Sequence, residues 1–103
     1  MDRIEKLQQF LTQQPNDCFL LHALALEYIK LNNDTEAEKL FITILQQQPN
    51  YYGSYYHLAK LYERTQQTDK AIATYEKGIK ICTILKEKHA LGELKSAYEE
   101  LIF

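Results

Sequence analysis

The sequence predicts an all-α protein of about six helices, and three observations support this prediction. Its 103 residues include only three Gly and two Pro, whereas a β-sandwich or barrel needs a turn residue roughly every 8–12 positions. Apolar residues recur at intervals of three and four, the spacing that lines one face of an α-helix. The sequence also repeats itself at a fixed interval. A length of 103 residues leaves room for one domain.

The repeat has an offset of 34 residues. At this offset Pro15-Asn16 aligns with Pro49-Asn50, and Leu24-Ala25 aligns with Leu58-Ala59. A fixed period of about 20 to 50 residues indicates stacked structural repeats. Four further matches pair Tyr28 with Tyr62, Ala37 with Ala71, Phe41 with Tyr75, and Leu45 with Ile79.

Each repeat is predicted to be a helical hairpin. Between the two helices of the first repeat lies Asn32-Asn33-Asp34-Thr35, where Thr35 and Glu38 form a capping box at the start of the second helix. The first helix carries an apolar stripe of Leu21, Leu24, Tyr28 and Leu31, repeated as Tyr55, Leu58, Tyr62 and Thr65. The second carries Ala37, Leu40, Phe41, Ile44 and Leu45.

Half a repeat extends the pattern at each end. Ile4, Leu7, Phe10 and Leu11 precede Pro15 as the second-helix stripe precedes Pro49. Leu91, Leu94, Tyr98 and Leu101 repeat the first-helix stripe at an offset of 36, which indicates a two-residue insertion near Leu85–Lys88. The predicted helices lie at about 2–14, 17–31, 35–48, 51–65, 69–86 and 89–102.

These residues resemble the tetratricopeptide-repeat family, whose 34-residue unit has an apolar-Leu-Gly/Ala-Tyr pattern, then an Ala, an aromatic residue and a closing Pro. The first repeat carries the pattern as Leu21, Leu24, Ala25, Tyr28, Ala37, Phe41 and Pro49. The second carries it as Tyr55, Leu58, Ala59, Tyr62, Ala71 and Tyr75. The resemblance implies a right-handed superhelix of antiparallel helical hairpins, an α-solenoid. It also implies a single domain over 1–103, with a half-repeat at 2–15, repeats at 16–49 and 50–83, and a C-terminal half-repeat or capping helix at 84–103.

The sequence departs from the family pattern in two respects. Thr83 stands where the second closing Pro would be, so we expect that helix to continue past it. Asn32 and Gln66 occupy the turn position where the family often has Gly. We expect the fold to tolerate both, because Asn adopts the left-handed conformation readily and Gln does so less well.

Composition and charge exclude several functional classes. The chain is 46% apolar and 25% charged, which is typical of a folded globular domain. Its formal net charge of −2 has the wrong sign for a protein that binds a phosphate backbone. No apolar run approaches the roughly 20 residues that span a bilayer, and the first residues lack the apolar core of a secretory signal. We therefore expect a cytoplasmic protein that binds neither nucleic acid nor membrane.

No residue pattern predicts catalysis, a metal or a cofactor. The sequence has no Gly-rich phosphate loop, HExxH motif or nucleophile elbow. His22, Tyr56 and His89 fall on one predicted side, but two imidazoles without a carboxylate at ligand spacing argue against a metal site. Cys18 and Cys82 belong to no ligand pattern, which favours two buried, reduced side chains over a disulfide.

A second face of the first helix in each hairpin is the candidate binding surface. It consists of residues two positions before each stripe residue, and the resemblance implies that it lines the concave side where peptides or partner helices bind. We expect Phe19, Leu26 and Ile29 to supply apolar contacts, Tyr56 an aromatic anchor, and His22 and Lys60 polar orientation. The other members of this surface are Gly53, Glu63, His89, Gly92, Ser96 and Glu99. The alternative is that the N-terminal helix or neighbouring side chains cover the apolar members.

The predicted function is that of an adaptor or scaffold that binds an unidentified protein or peptide. The resemblance argues against chaperone C-terminal tails, because family members that clamp such tails carry Lys and Asn at the positions of His22 and Leu26, and Lys and Arg at those of Gly92 and Ser96. The alternative is a self-associating structural protein, a homodimer formed through Leu101, Ile102 and Phe103. RNA binding is disfavoured by the period and by the acidic charge balance.

Overall fold

The computed structural model describes residues 2–103, which form six α-helices and no strand. The all-α prediction is confirmed, and each helix begins and ends within two residues of its predicted bounds. The chain divides into two compact units, one up to Gln48 and one from Pro49 to Phe103. The first contains α1 (Arg3–Gln13), α2 (Cys18–Lys30) and α3 (Asp34–Gln47), and the second contains α4 (Gly53–Arg64), α5 (Thr68–Leu85) and α6 (Lys88–Ile102).

The first unit is held together by the apolar stripes of its three helices. Leu7 of α1 is buried against Ala23 and Leu24 of α2, so the N-terminal half-repeat packs on the first hairpin as its stripe predicted. On α3, Phe41 and Ile44 are fully buried. Partly buried residues around the Leu7 cluster are Ile4, Leu11, Leu20, Tyr28 and Leu40.

Three details predicted for the first unit are wrong. Leu31 is 64% exposed because α2 ends at Lys30, which leaves Leu31 in the turn. Phe10 is 58% exposed although it belongs to the apolar stripe of α1. The cap of α3 is not Thr35 but Asn33, whose Oδ1 accepts a hydrogen bond from the backbone N–H of Glu36 at 3.4 Å. Helix α3 therefore starts at Asp34, one residue earlier than predicted, and Asn33 serves the N–H group of its third residue.

The second unit requires a close approach of α5 to both of its neighbours. Gly78 on α5 is buried, and a Cβ placed on it would lie 2.8 Å from Cβ of Tyr55 on α4. The same Cβ would lie 3.1 Å from Cδ1 of Leu94 on α6. Tyr55 and Leu94 are both 1% exposed. Only Gly, which has no side chain, fits between two such closely packed neighbours.

Buried polar groups in the second unit have partners. Tyr75 is fully buried, and its hydroxyl donates a hydrogen bond to Oε2 of Glu63. Burial first, and then this bond to a carboxylate, raise the pKa of Tyr75 far above its usual range. The Tyr55 hydroxyl donates to the Pro49 carbonyl at 2.6 Å. Within residues 2–103, every buried side-chain nitrogen or oxygen has a hydrogen-bond partner.

Three turns place a residue other than Gly in the left-handed conformation. Asn32, Gln66 and Lys86 have φ values of 59°, 61° and 59°. The first two confirm that the turn position tolerates Asn and Gln. Helix α5 continues past Thr83 to Leu85 before Lys86 ends it, which confirms the effect expected from the absent proline.

Both cysteines are free and buried, as predicted. Burial is the main cause that raises the pKa of each thiol, which keeps the side chains protonated. Among the helices of residues 2–103, none combines the length and the apolar character needed to cross a membrane.

Candidate functional site

An open groove of about 450 Å³ lies beside α2 in the first unit. Phe19, His22 and Leu26, all from the candidate binding surface, line it. Phe19 is 71% exposed, and Leu26 and His22 are half-buried. The His22 ring meets the ring of Phe41 edge-on, with centroids 5.6 Å apart. Ile29 is half-buried and is not among the residues that line this groove, which we call the α1–α2 groove.

Charged side chains stand at one edge of the α1–α2 groove. The Glu27 carboxylate lies 3.2 Å from Nε of Arg3 on α1 and 3.0 Å from Nζ of Lys30 on its own helix. The Glu27 side chain is only 16% exposed, whereas those of Arg3 and Lys30 are 64% and 70% exposed. The negative charge is therefore covered, and the two positive charges face solvent.

A second open groove, of about 560 Å³, lies in the second unit, and we call it the α4–α6 groove. Five residues of the candidate surface line it: Tyr56, Lys60, His89, Gly92 and Ser96. Lys60 Nζ lies 5.8 Å from the centroid of the Tyr56 ring and 3.7 Å from Oε2 of Glu63. Glu63 does not line the groove. Its carboxylate accepts the Tyr75 hydrogen bond and also pairs with Lys60, which restricts the Lys60 side chain.

The α4–α6 groove carries charges of both signs. His89, whose side chain is 93% exposed, places Nε2 3.7 Å from Oε1 of Glu93. Lys88 and Glu100 also line the groove. His57 lies next to Tyr56 on α4, and its burial lowers the pKa of the imidazole, against the opposing effect of Glu93. In contrast to the α1–α2 groove, this surface is polar and its charges are balanced.

The residues predicted for self-association differ in exposure. Leu101 is half-buried on α6, Ile102 is 39% exposed, and Phe103 is 97% exposed. In the part of the chain that the structure describes, no group of three or more His, Cys, Asp or Glu side chains is arranged to hold a metal ion.

Comparison with known proteins identifies the family. A tetratricopeptide repeat domain protein from Salinibacter ruber is 41% identical to this chain, and the match covers 82% of this chain and 94% of that one with a TM-score of 0.79. The model of the tetratricopeptide repeat matches residues 52–85. The chain belongs to the tetratricopeptide-repeat family. No curated protein matches the sequence significantly.

Two solved structures of lower identity share the fold. Protein BPP2914 from Bordetella parapertussis is 19% identical, and the match covers 99% of this chain and 89% of that one with a TM-score of 0.86. The TPR2B domain of yeast Sti1, solved in a complex with pHsp70, is 15% identical, with coverage of 95% and 78% and a TM-score of 0.87. At these identities the likeness shows the fold alone. The family and the fold together support a protein-interaction module.

Sequence reasoning missed the charged edge of the α1–α2 groove. The spacing of Glu27 and Lys30 by three positions is a visible signal, because such pairs meet on a helix surface. Arg3 gives no signal of this kind, because its distance to Glu27 depends on how α1 packs against α2. Lys88, Glu93 and Glu100 of the other groove were missed because each lies one residue away from a position of the candidate face on α6.

Proposed function

We propose that this tetratricopeptide-repeat protein is a non-catalytic interaction module that binds a peptide or helix of a partner protein on the candidate surface. The observation that carries the proposal is the exposed apolar lining of the α1–α2 groove. Phe19 exposes 71% of its surface beside Leu26 on a helix that is otherwise well packed. An exposed apolar surface beside charged side chains is typical of a docking site.

Each candidate residue has a distinct role in this proposal. Phe19 and Leu26 contact apolar side chains of the partner, and Ile29 extends the same face of α2 beyond the groove. His22 orients the partner by a polar contact from the groove floor. In the second unit, Tyr56 is the aromatic anchor, Lys60 and Glu63 contribute polar contacts, and His89 lies at the edge.

The partner is proposed to differ from a chaperone tail, and the protein is proposed to act as a cytoplasmic adaptor or scaffold. The Sti1 domain was solved with pHsp70, but here His22, Leu26, Gly92 and Ser96 occupy the positions where tail-binding members carry their clamp. None of the four is a permanent cation that would pair with a carboxylate. Two free, buried cysteines suit a reducing compartment such as the cytoplasm.

The test is affinity capture from source-cell lysate with wild-type protein and the Leu26→Glu variant, each read by mass spectrometry. Leu31→Glu is the matched control, because Leu31 is 64% exposed on the same chain segment and lines no part of the groove. We expect Leu26→Glu to weaken capture about tenfold or more. We expect Leu31→Glu to bind as the wild type does, and both variants to melt within about 5 °C of it.

Self-association through Leu101, Ile102 and Phe103 is the alternative that the same experiment addresses. Its supporting observation is the exposure of Ile102 and Phe103. If Leu26→Glu captures the same proteins as the wild type, the groove proposal is overturned. Light scattering that shows a dimer, converted to a monomer by Phe103→Ser, would then favour self-association. A loss of the fold in Leu26→Glu would instead identify Leu26 as a core residue.

A further inference from the structure

We propose that the α1–α2 groove selects an acidic-apolar peptide: a short partner segment whose apolar side chains contact Phe19 and Leu26 and whose Asp or Glu pairs with Arg3 and Lys30. This inference deepens the proposed function and rests on it. The groove lining contains both the apolar surface and the two cationic side chains at its edge. Charge complementarity then requires the partner segment to carry a negative charge opposite them.

The charge at the groove edge is positive. Arg3 and Lys30 share the single carboxylate of Glu27, the one acidic residue that lines this groove, which leaves one net positive charge. The Asp2 carboxylate does not line the groove and instead caps α1, where it accepts a hydrogen bond from the backbone N–H of Glu5 at 2.8 Å and faces the positive end of the helix dipole. Since Glu27 is covered and the cations are exposed, an approaching peptide meets the cations first.

Arg3 is oriented for a second carboxylate. It contacts Glu27 through Nε, and among the described residues Glu27 is its one salt-bridge partner. The two terminal amino groups of a guanidinium form a planar fork that matches the two oxygens of a carboxylate. Glu27 therefore holds Arg3 in place while the fork stays available, and Lys30 adds a second exposed donor beside it.

The helix geometry sets the spacing that the partner needs. Phe19, Leu26 and Lys30 follow one another along α2, with Leu26 and Lys30 four positions apart. At 1.5 Å per residue, the Cα atom of Lys30 lies about 6 Å beyond that of Leu26 and about 16 Å beyond that of Phe19 along the helix axis. In an extended peptide of about 3.3 Å per residue, this places the acidic residue about two to five positions from the apolar ones.

The α4–α6 groove lacks this selectivity and serves as an internal control. Lys60 of α4 occupies the repeat position of Leu26, and Glu63 occupies that of Ile29. Lys60 and Lys88 are accompanied in the lining by Glu93 and Glu100, so neither sign of charge predominates. A peptide chosen for its acidic residue is therefore expected to bind the first unit.

The experiment is selection of a displayed library of random 12-residue peptides against the wild-type protein, followed by fluorescence anisotropy of one selected, fluorescein-labelled peptide. We expect the selected peptides to combine two or three apolar residues with an Asp or Glu two to five positions away. Changing that acid to its amide should weaken binding to the wild-type protein about tenfold. This step needs no protein variant, so it stays decisive if a variant fails to fold.

Protein variants locate the effect. Arg3→Gln with Lys30→Gln should weaken the acidic peptide about tenfold and shift a new selection towards Lys and Arg, because Glu27 then sets the sign of the edge. Lys39→Gln with Lys80→Gln, which changes two exposed lysines that line neither groove, should leave the affinity unchanged. Selected peptides without an acidic preference, or a loss caused by the second pair of changes alone, would overturn the inference and leave the proposed function intact. Selected peptides that bind Leu26→Glu as tightly as the wild type, or the absence of any selected peptide, would overturn both.

Discussion

The two hairpins α2–α3 and α4–α5 share one fold but differ in the surface they offer. Both bury the Leu-Ala pair of the first helix and the Ala and aromatic residue of the second. On the candidate surface, Phe19, Leu26 and Ile29 of α2 correspond to Gly53, Lys60 and Glu63 of α4. The repeat pattern therefore constrains one face of each helix, and the opposite face is free to become apolar in one hairpin and charged in the other.

The hairpins also differ inside the core, and there the differences occur in compensating pairs. The buried aromatic residue is Phe41 in the first hairpin and Tyr75 in the second. Tyr75 donates a hydrogen bond to Glu63, and the first hairpin has Ile29 at the position of Glu63. At this pair of positions, the buried hydroxyl is present only in the hairpin that has a carboxylate to accept its hydrogen bond. Three predictions test the differences between the hairpins, beginning with the largest expected effect.

The first prediction concerns Gly78, whose counterpart in the other hairpin is the fully buried Ile44. We expect Gly78→Ala to lower the free energy of unfolding by about 2–3 kcal/mol, because the new Cβ would lie 2.8 Å from Cβ of Tyr55 and would force α4 and α5 apart. A fall of about 10 °C or more in the melting temperature, measured by circular dichroism, would correspond to this loss.

Gly92 provides the matched control for this change. It lies within α6, and a Cβ placed on it meets nothing within 4 Å. Gly92→Ala should therefore raise the free energy of unfolding by about 0.5–1 kcal/mol, since Ala is the better helix former. If both substitutions changed the free energy of unfolding equally, close packing would not be the reason that position 78 is a Gly.

The second prediction transfers the polar pair from one hairpin to the other. Phe41→Tyr places a hydroxyl in the fully buried site of Phe41, and Ile29 stands at the repeat position that Glu63 holds in the other hairpin. We expect a loss of about 1–2 kcal/mol in the free energy of unfolding, because the hydroxyl gives up its bonds to water. Adding Ile29→Glu should recover about 1 kcal/mol relative to the sum of the single changes.

The measurement is a double-mutant cycle in chemical denaturation, with the four proteins unfolded side by side. Tyr75→Phe is the reciprocal control, because it removes the hydroxyl that donates to Glu63 and should cost about 1–2 kcal/mol. Strictly additive effects of Phe41→Tyr and Ile29→Glu would contradict the pairing.

The third and smallest prediction concerns the turns. Gln66→Gly should stabilise the protein by about 0.5–1 kcal/mol, because Gln66 has a φ of 61° and Gly adopts this conformation without steric cost. Asn32→Gly should gain only a few tenths of a kcal/mol, since Asn is already tolerant of it. At Gln67, where φ is −102°, the same change to Gly should not stabilise. Melting temperatures of the three variants rank these effects.

The sequence predicted most of the fold because the fold depends on local patterns that recur. The stripe spacing and the 34-residue offset located six helices, and the missing proline at Thr83 explained the longer α5. The predictions that failed were the burial of Leu31 and Phe10 and the identity of the residue that caps α3. Several residues near the start of α3 have side chains suited to capping, and only the backbone geometry shows that Asn33 serves this role.

The candidate site was predicted only in part because a helix face is local and a groove is not. Phe19, His22 and Leu26 share a face that the sequence specifies, and they line one groove. Arg3 reaches that groove through the packing of α1 on α2, and Gly78 matters only because Tyr55 and Leu94 approach it. Distances between helices set both features, and no spacing along the chain encodes them.

The glycine between α4 and α5 also bears on how such proteins recombine. A bulky Tyr55 and an absent side chain at Gly78 occupy the positions that Leu21 and Ile44 fill in the other hairpin. If the two helices of a hairpin came from different repeats, an Ile at the position of Gly78 would clash with Tyr55. In the reverse combination, a Gly at the position of Ile44 would leave a cavity beside Leu21. The unit that can be exchanged without loss of packing is therefore the intact hairpin. A chimaera designed from this chain should place its crossover between hairpins rather than within one.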